Sequence, residues 1–98
     1  MTRPYASGNR RTVDTFRLRD QDLVWREVED EIIILDTRAS VYASVNEAGR
    51  VLWLKLAEGA SLEDLSGELV RHYGLNEADA TRDAEAFLQS LRDQDLLS

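Results

Sequence analysis

The spacing of apolar residues changes once along the chain, at Asn46, and this change constrains the fold more than any other feature. Before Asn46, short apolar runs alternate with polar turns, which is typical of β-strands. After it, apolar residues recur about every 3.6 positions, which is typical of amphipathic helices. The sequence therefore predicts strands in its first half and helices in its second.

Three strands are predicted before Asn46, at 22–28, 32–35 and 41–45. The run IIIL at 32–35 is wholly apolar, which favours a strand that is covered on at least one face. The connections on both sides of it are short and polar, and two such connections in succession predict an antiparallel meander with 32–35 in the middle.

Three helices are predicted after it, each preceded by a residue that can cap a helix. Asn46 precedes the first helix, which the EGA at 58–60 ends. Ser61 and Asp64 resemble a capping box that opens the second helix. Asn76 can cap a third helix that extends to residue 97. The predicted fold is α+β, a three-stranded antiparallel sheet followed by three helices, which is also the content of a winged helix-turn-helix with its strands leading.

The 98 residues are enough for one domain with one core. We expect residues 1–20 to form a flexible or partly ordered N-terminal segment, with 1–12 as a polar, arginine-rich tail, and residues 21–98 to form the domain. No apolar run approaches the roughly 18 residues of a membrane span. A cytoplasmic location without membrane attachment is the expectation.

Few residues in this chain could carry catalysis. There is no cysteine, and His72 is the single histidine. The carboxylate clusters at 20–22, 27–31 and 93–95 lack the glycine-turned spacing of a calcium loop, so they indicate solvated faces or turns. No phosphate-binding glycine loop or dinucleotide fingerprint is present. We expect a protein that is not an enzyme and that has no cofactor and no metal.

The balance of acidic and basic residues indicates which kinds of partner the chain can bind. With 19 acids against 12 bases, the formal net charge is −7, which argues against binding to nucleic acid because that binding depends on clustered Lys and Arg. Residues 76–98 hold six acids against two arginines. A cationic or neutral peptide is therefore the easier partner for this end of the chain.

The third predicted strand is the feature of the sequence that is most informative about function. It has no charge between Arg38 and Glu47, whereas the first strand carries Arg26 and Glu27. An uncharged outer strand invites pairing with another chain unless something covers it. Either the N-terminal segment, a helix or a second copy of the chain covers the strand, or a guest peptide adds a strand there. Charge and periodicity leave both readings open.

Residues 23–97 resemble the PqqD-like family of peptide-recognition domains, the RiPP recognition elements of pathways that modify ribosomally made peptides. The resemblance is carried by the order and spacing of four pieces: WREVEDEIIILD, VYASVNEAG with LW shortly after, LAEGASLEDLSGELV, and RDAEAFLQSLRDQDLL. The chain is most similar to the stand-alone leader-binding proteins of lasso-peptide pathways. It departs from many relatives at Ala43, where a bulky residue is common, and at Ala48 and Asp95.

The resemblance implies that a precursor leader binds as an added strand, antiparallel to the third strand and in the cleft between that strand and the third helix. For lasso leaders it implies a Tyr-x-x-Pro motif, for which the small side chains of Ala80 and Ala84 would leave space. The implied partners are this leader, a separate leader peptidase and an ATP-dependent macrocyclase, with the chain a monomer or weak homodimer. The implied peptide-binding residues are Val41, Tyr42, Ala43, Ser44 and Val45 on the strand, and Ala80, Asp83, Ala84, Phe87, Leu88 and Leu91 on the helix.

Three alternatives stay open at this point. One is a peptide chaperone that partners a radical-SAM enzyme, as in quinone-cofactor biosynthesis. Another is a winged-helix DNA-binding regulator, although its recognition helix should be basic and the third helix here is acidic. The last is a structural dimer that is closed through the edge of the third strand.

Overall fold

The computed structural model describes residues 14–98. Three strands are followed by three helices, as the sequence predicts: β1 (Leu23–Val28), β2 (Glu31–Asp36), β3 (Val41–Val45), α1 (Glu47–Glu58), α2 (Leu62–Tyr73) and α3 (Glu77–Asp93). The strands form one antiparallel sheet in the order β1–β2–β3. The predicted α+β class and the central position of the IIIL run are thus confirmed.

The register of the sheet decides which side chains face the helices. Ile32 and Ile34 of β2 are buried, and they pair directly with Val45 and Ala43 of β3. Directly paired residues share a face of the sheet. Ala43 and Val45 therefore face the helices, and Tyr42 lies between them on the opposite face.

The core lies between the sheet and the helices. α1 contacts β2, β3 and α2, and α3 packs mainly on α2. Trp53 of α1 is fully buried at the centre, and its ring meets the ring of Trp25 edge to face at a centroid distance of 5.9 Å. Such an edge-to-face contact favours one arrangement of β1 on α1.

The helix caps are those that the sequence predicts. The side chain of Asn46 accepts a hydrogen bond from the backbone N–H of Gly49. The capping box of α2 is complete: the Asp64 N–H donates to Ser61 Oγ and the Ser61 N–H donates to Asp64 Oδ2, both at 3.0 Å. These bonds to Ser61 hold the pKa of Asp64 below its ordinary value.

The end of α3 differs from the prediction. The helix ends at Asp93 instead of continuing to residue 97. Gln94 caps it and Asp95 has a positive φ of 60°. This turn buries Leu96 in the core and brings Leu97 beside Leu18. Burial of an apolar side chain therefore overrides the continuation of the helical pattern.

Part of the N-terminal segment packs against the domain. Phe16 and Ala60 exchange two backbone hydrogen bonds of 2.7 and 3.0 Å. The guanidinium of Arg19 forms an ion pair of 2.8 Å with Asp36 at the end of β2. The flexible tail predicted for residues 1–12 lies outside the described residues. Among the helices described here, none combines the length and apolar character that crossing a membrane requires.

Candidate functional site

The outer edge of β3 is open in the part of the chain that the structure describes. β3 is an outer strand of the sheet, and within residues 14–98 it pairs only with β2. An edge strand directs alternate N–H and C=O groups away from its neighbour, where another strand can accept them. Neither a helix nor the described N-terminal residues pair with this edge. Within residues 14–98, the uncharged strand is therefore not explained by pairing with the N-terminal segment or with a helix.

A groove runs between this edge and α3, which packs mainly on α2. Its volume is about 660 Å³. Ser44 and Val45 line it on the strand side, and Asp83, Phe87 and Leu91 line it on the side of α3.

A second cavity of about 220 Å³ continues the space along β3, where Val41 and Ala43 line it. Gln94 lines both cavities. The two together follow the whole length of the strand, so an extended peptide could lie along it.

The first turn of α1 lines the groove. Gly49 is buried there, and a Cβ atom at this position would lie 3.0 Å from Val45 Cβ and 3.2 Å from Phe87 Cε1. Only a residue without a side chain lets helix, strand and phenyl ring approach so closely. Gly49 thus sets the place of the Phe87 ring at the groove.

The residues expected on α3 divide into two groups. Asp83, Phe87 and Leu91 line the groove, but Ala80, Ala84 and Leu88 are buried in the core and line neither cavity. The expectation that Ala80 and Ala84 leave space for a peptide is wrong. Their small side chains lie in the core.

The residues expected on β3 also divide: four of them line the cavities and one does not. Val41, Ala43, Ser44 and Val45 line the two cavities. Tyr42 is 74% exposed, and its side chain lies on the face of the sheet away from the helices. It therefore does not face Phe87 across the groove.

Sequence reasoning missed several residues of the groove. They come from the helix ends and loops around it: Asn46, Gly49, Tyr73, Leu75 and Gln94. Tyr73 follows the apolar spacing of α2, which predicts burial, yet it is 41% exposed because it is the last residue of the helix. The signal for a partly exposed Tyr73 was its position as a large aromatic residue at the helix end, next to the stop at Gly74.

Each end of the site carries a carboxylate. The exposed Asp83 gives the rim of the larger groove an acidic group. Asp36 lines the smaller cavity, and the hydrogen bond from Arg19, together with the backbone N–H of Ala39, holds its pKa below the ordinary value. An ionised carboxylate thus anchors the turn that leads into β3.

The chemistry that these groups offer is binding. The groove combines the free polar edge of a strand with apolar side chains at its walls, which suits an extended peptide. Within residues 14–98, no three His, Asp or Glu side chains are grouped so that they could hold a metal ion. His72 lies at the end of α2, with its Nε2 3.5 Å from Glu68 Oε1.

A three-stranded antiparallel sheet with one open edge, followed by three helices that leave a groove beside that edge, defines a small α+β domain. The family model described as Coenzyme PQQ synthesis protein D (PqqD) matches residues 31–97. The chain belongs to this family. No curated protein matches the chain.

Two solved structures share the fold. One is described as TbiB1 in complex with the TbiA(beta) leader peptide; it is 23% identical, with 84% of this chain and 94% of that one covered and a TM-score of 0.77. The other is described as lasso peptide synthetase B1 complexed with the leader peptide; it is 26% identical, with 85% and 96% covered and a TM-score of 0.76. Both likenesses extend over nearly the whole of the solved chains.

Proposed function

We propose that this chain is a non-catalytic protein that binds the leader of a ribosomally made precursor peptide, of the lasso class, and presents the attached core to modifying enzymes. The observation that carries the proposal is the open edge of β3 beside a groove of about 660 Å³. Its support from relatives is that both solved structures are described as complexes with leader peptides.

The leader would bind as a fourth strand along Val41–Val45. The backbone of β3 would supply hydrogen bonds that are the same for any sequence, and the groove would supply selectivity. Every second side chain of an added strand points toward the helices. Those side chains would meet Phe87 and Leu91 in the larger groove and Val41 and Ala43 in the smaller cavity.

Asp83 would favour a leader with a basic residue near the α3 side of the groove. The contribution of such an exposed pair to affinity is small. Together with the other acids that give the chain its net charge of −7, Asp83 would raise the rate of encounter with a basic leader.

The partners in this proposal are the leader, a separate leader peptidase and an ATP-dependent macrocyclase, all in the cytoplasm where precursors are made. A second candidate is a chaperone for a precursor that a radical-SAM enzyme modifies. The description of the matching family, Coenzyme PQQ synthesis protein D, favours that candidate. The genes beside this one discriminate the two, because a peptidase–cyclase pair belongs to the first and a radical-SAM enzyme to the second.

The direct test is a titration of the protein with the fluorescently labelled synthetic leader encoded beside its gene. We expect a Kd below about 1 μM, which corresponds to a binding free energy of about −8 kcal/mol. Phe87→Ala should weaken binding at least tenfold, and Gln89→Ala, at an exposed position of the same helix, should leave it unchanged. Replacement of a tyrosine of the leader by alanine should weaken binding as well.

Two results would overturn the proposal. One is the absence of binding by every leader encoded near the gene. The other is tight, salt-dependent binding to duplex DNA, which would favour the winged-helix regulator instead.

A further inference from the structure

The large apolar side chains that are exposed in the described part of the chain fall on two surfaces. Val41 and Tyr73 line the two cavities beside β3. Val24, Val28 and Tyr42, which are 59%, 43% and 74% exposed, lie on the opposite face of the sheet. The groove accounts for the first surface, and the second has no role in the proposed function.

The register shows how this second surface is built. Val24 pairs with Leu35, and Leu35 pairs with Tyr42, so one apolar row crosses all three strands. Ile33 lies beside this row and pairs with Arg26. We name this surface the outer face; its residues on the three strands are Val24, Arg26, Val28, Glu31, Ile33, Leu35, Tyr42 and Ser44. Val24, Val28 and Tyr42 are exposed, and Ile33 and Leu35 are half-buried between them. Contiguous apolar surface of this kind marks interaction sites in proteins.

One end of the outer face is acidic. The β1–β2 turn and the first residue of β2 place Glu29, Asp30 and Glu31 together at the end of the sheet, all exposed. Among residues 14–98, no Lys, Arg or His side chain forms an ion pair with any of these three acids. A partner for this face therefore needs an apolar patch with basic residues at one end.

The outer face is continuous with the peptide site through β3. A peptide added to the edge of β3 extends the sheet by one strand, and alternate side chains of that strand point away from the helices. Those side chains emerge beside Tyr42, on the outer face. A protein that docks there would touch the domain and the bound peptide at the same time.

We propose that the outer face is the docking surface of the enzyme that acts on the bound peptide, and that this enzyme presents an apolar patch flanked by basic residues. The inference rests on the proposed function, because the peptide completes the surface. A second copy of the chain fits the face less well, since it would bring another net charge of −7 and another acidic turn.

The test uses charge insertion at the strand that lies farthest from the groove. Val24→Lys and Val28→Lys each add a positive charge to the outer face on β1, and Ala78→Lys adds the same charge at an exposed position of α3. Each variant is measured for binding of the labelled leader and for the rate at which the leader peptidase encoded beside the gene cleaves the full precursor, with the peptidase at limiting concentration. Circular dichroism verifies that each variant is folded.

We expect Val24→Lys and Val28→Lys to bind the leader within about twofold of the unmodified protein and to lower the cleavage rate at least tenfold. Ala78→Lys should change neither quantity. Unchanged cleavage with either outer-face variant would overturn the inference and leave the proposed function intact. A concentration-dependent dimer that Val24→Lys dissociates, measured by sedimentation, would overturn it in favour of a second copy. Absence of leader binding by the unmodified protein would remove the proposed function, and the inference with it.

Discussion

The phenyl ring of Phe87 packs directly against Gly49. Its Cε1 atom is 3.2 Å from the position that a Cβ atom at residue 49 would occupy. The same Cβ would be 3.0 Å from Val45 Cβ, on the strand that borders the groove. Because Val45 pairs with Ile32 in the sheet, a shift of Val45 away from residue 49 would disturb the pairing of β2 and β3. A helix, a strand edge and an aromatic side chain thus meet at one glycine.

Replacement of this glycine by alanine should therefore disturb the groove. Alanine in a helix normally gains about 0.5–1 kcal/mol over glycine. At Gly49 we expect this gain to be lost to the contacts with Val45 and Phe87, and we expect leader affinity to fall at least threefold as the ring is displaced. Urea unfolding and the leader titration measure the two quantities.

Gly67 provides the matched control. It lies within α2, is exposed, and a Cβ there would meet nothing within 4 Å. Gly67→Ala should raise the free energy of unfolding by the full amount of about 0.5–1 kcal/mol and leave leader binding unchanged. Equal stabilisation by both substitutions, with unaltered affinity, would show that the approach of Phe87 to Gly49 does not shape the site.

The order of elements could be predicted from the sequence because it depends on local signals. The change of apolar period at Asn46 separates strands from helices, and the bonds that Asn46 and Ser61 accept are formed between residues three apart. The lack of charge at 40–46 likewise distinguishes β3 from β1, the other outer strand. Signals of this kind need no knowledge of distant contacts.

The walls of the groove could not be predicted in the same way because they depend on tertiary packing. Apolar spacing along α3 does not say which neighbour covers which residue, so Ala84 and Phe87 looked alike, although one is buried and the other lines the groove. Nor does the sequence show that a groove lies between β3 and α3. The alternation of side chains along a strand does predict that Tyr42 and Ala43 lie on opposite faces of the sheet, which puts Tyr42 on the outer face.

Binding by strand addition predicts an alternating response to modification of the leader backbone. N-methylation removes one N–H donor, and only every second N–H of an added strand points toward β3. Each methyl group on a bonded N–H should weaken binding about fivefold or more, the equivalent of about 1 kcal/mol for a lost hydrogen bond. A scan of singly methylated leaders in the titration measures this.

The intervening positions of the same leader are the internal control, because their N–H groups point away from the domain. Methylation there should change the Kd by less than about twofold. A uniform loss at all positions would indicate that the leader folds as a helix in the groove, and no loss at any position would indicate that side chains alone hold it.

Loss of the capping box should weaken the domain without altering the site. Ser61→Ala removes the acceptor for the Asp64 N–H and leaves that end of α2 unsatisfied. We expect the free energy of unfolding to fall by about 1 kcal/mol, which is typical of a lost N-cap. Urea unfolding measures the change, and leader affinity should remain within twofold because Ser61 lies in neither cavity beside β3. A tenfold loss of affinity with full stability would contradict this separation.

Stability should depend on pH through the carboxyl group of Asp36. Its pKa lies below the ordinary value because it accepts hydrogen bonds from Arg19 and from the backbone N–H groups of Ala39 and Arg38. A carboxyl whose pKa is lower in the folded state contributes stability above its unfolded pKa of about 3.9 and loses it as the pH falls toward the folded pKa. The midpoint temperature of thermal unfolding should therefore fall as the pH is lowered below about 4.

Asp36→Asn separates this effect from the other carboxylates, because it keeps an acceptor for the backbone but removes the ion pair with Arg19. At pH 7 the variant should unfold at a lower temperature than the unmodified protein. The difference between the two should shrink as the pH falls from about 4 toward the folded pKa of Asp36. Calorimetric scans at pH 7, 5, 4 and 3 measure it, with Asp83→Asn as the control at an exposed carboxylate of α3. A difference that stays constant across this range would mean that the Arg19–Asp36 pair adds nothing to the stability of the turn before β3.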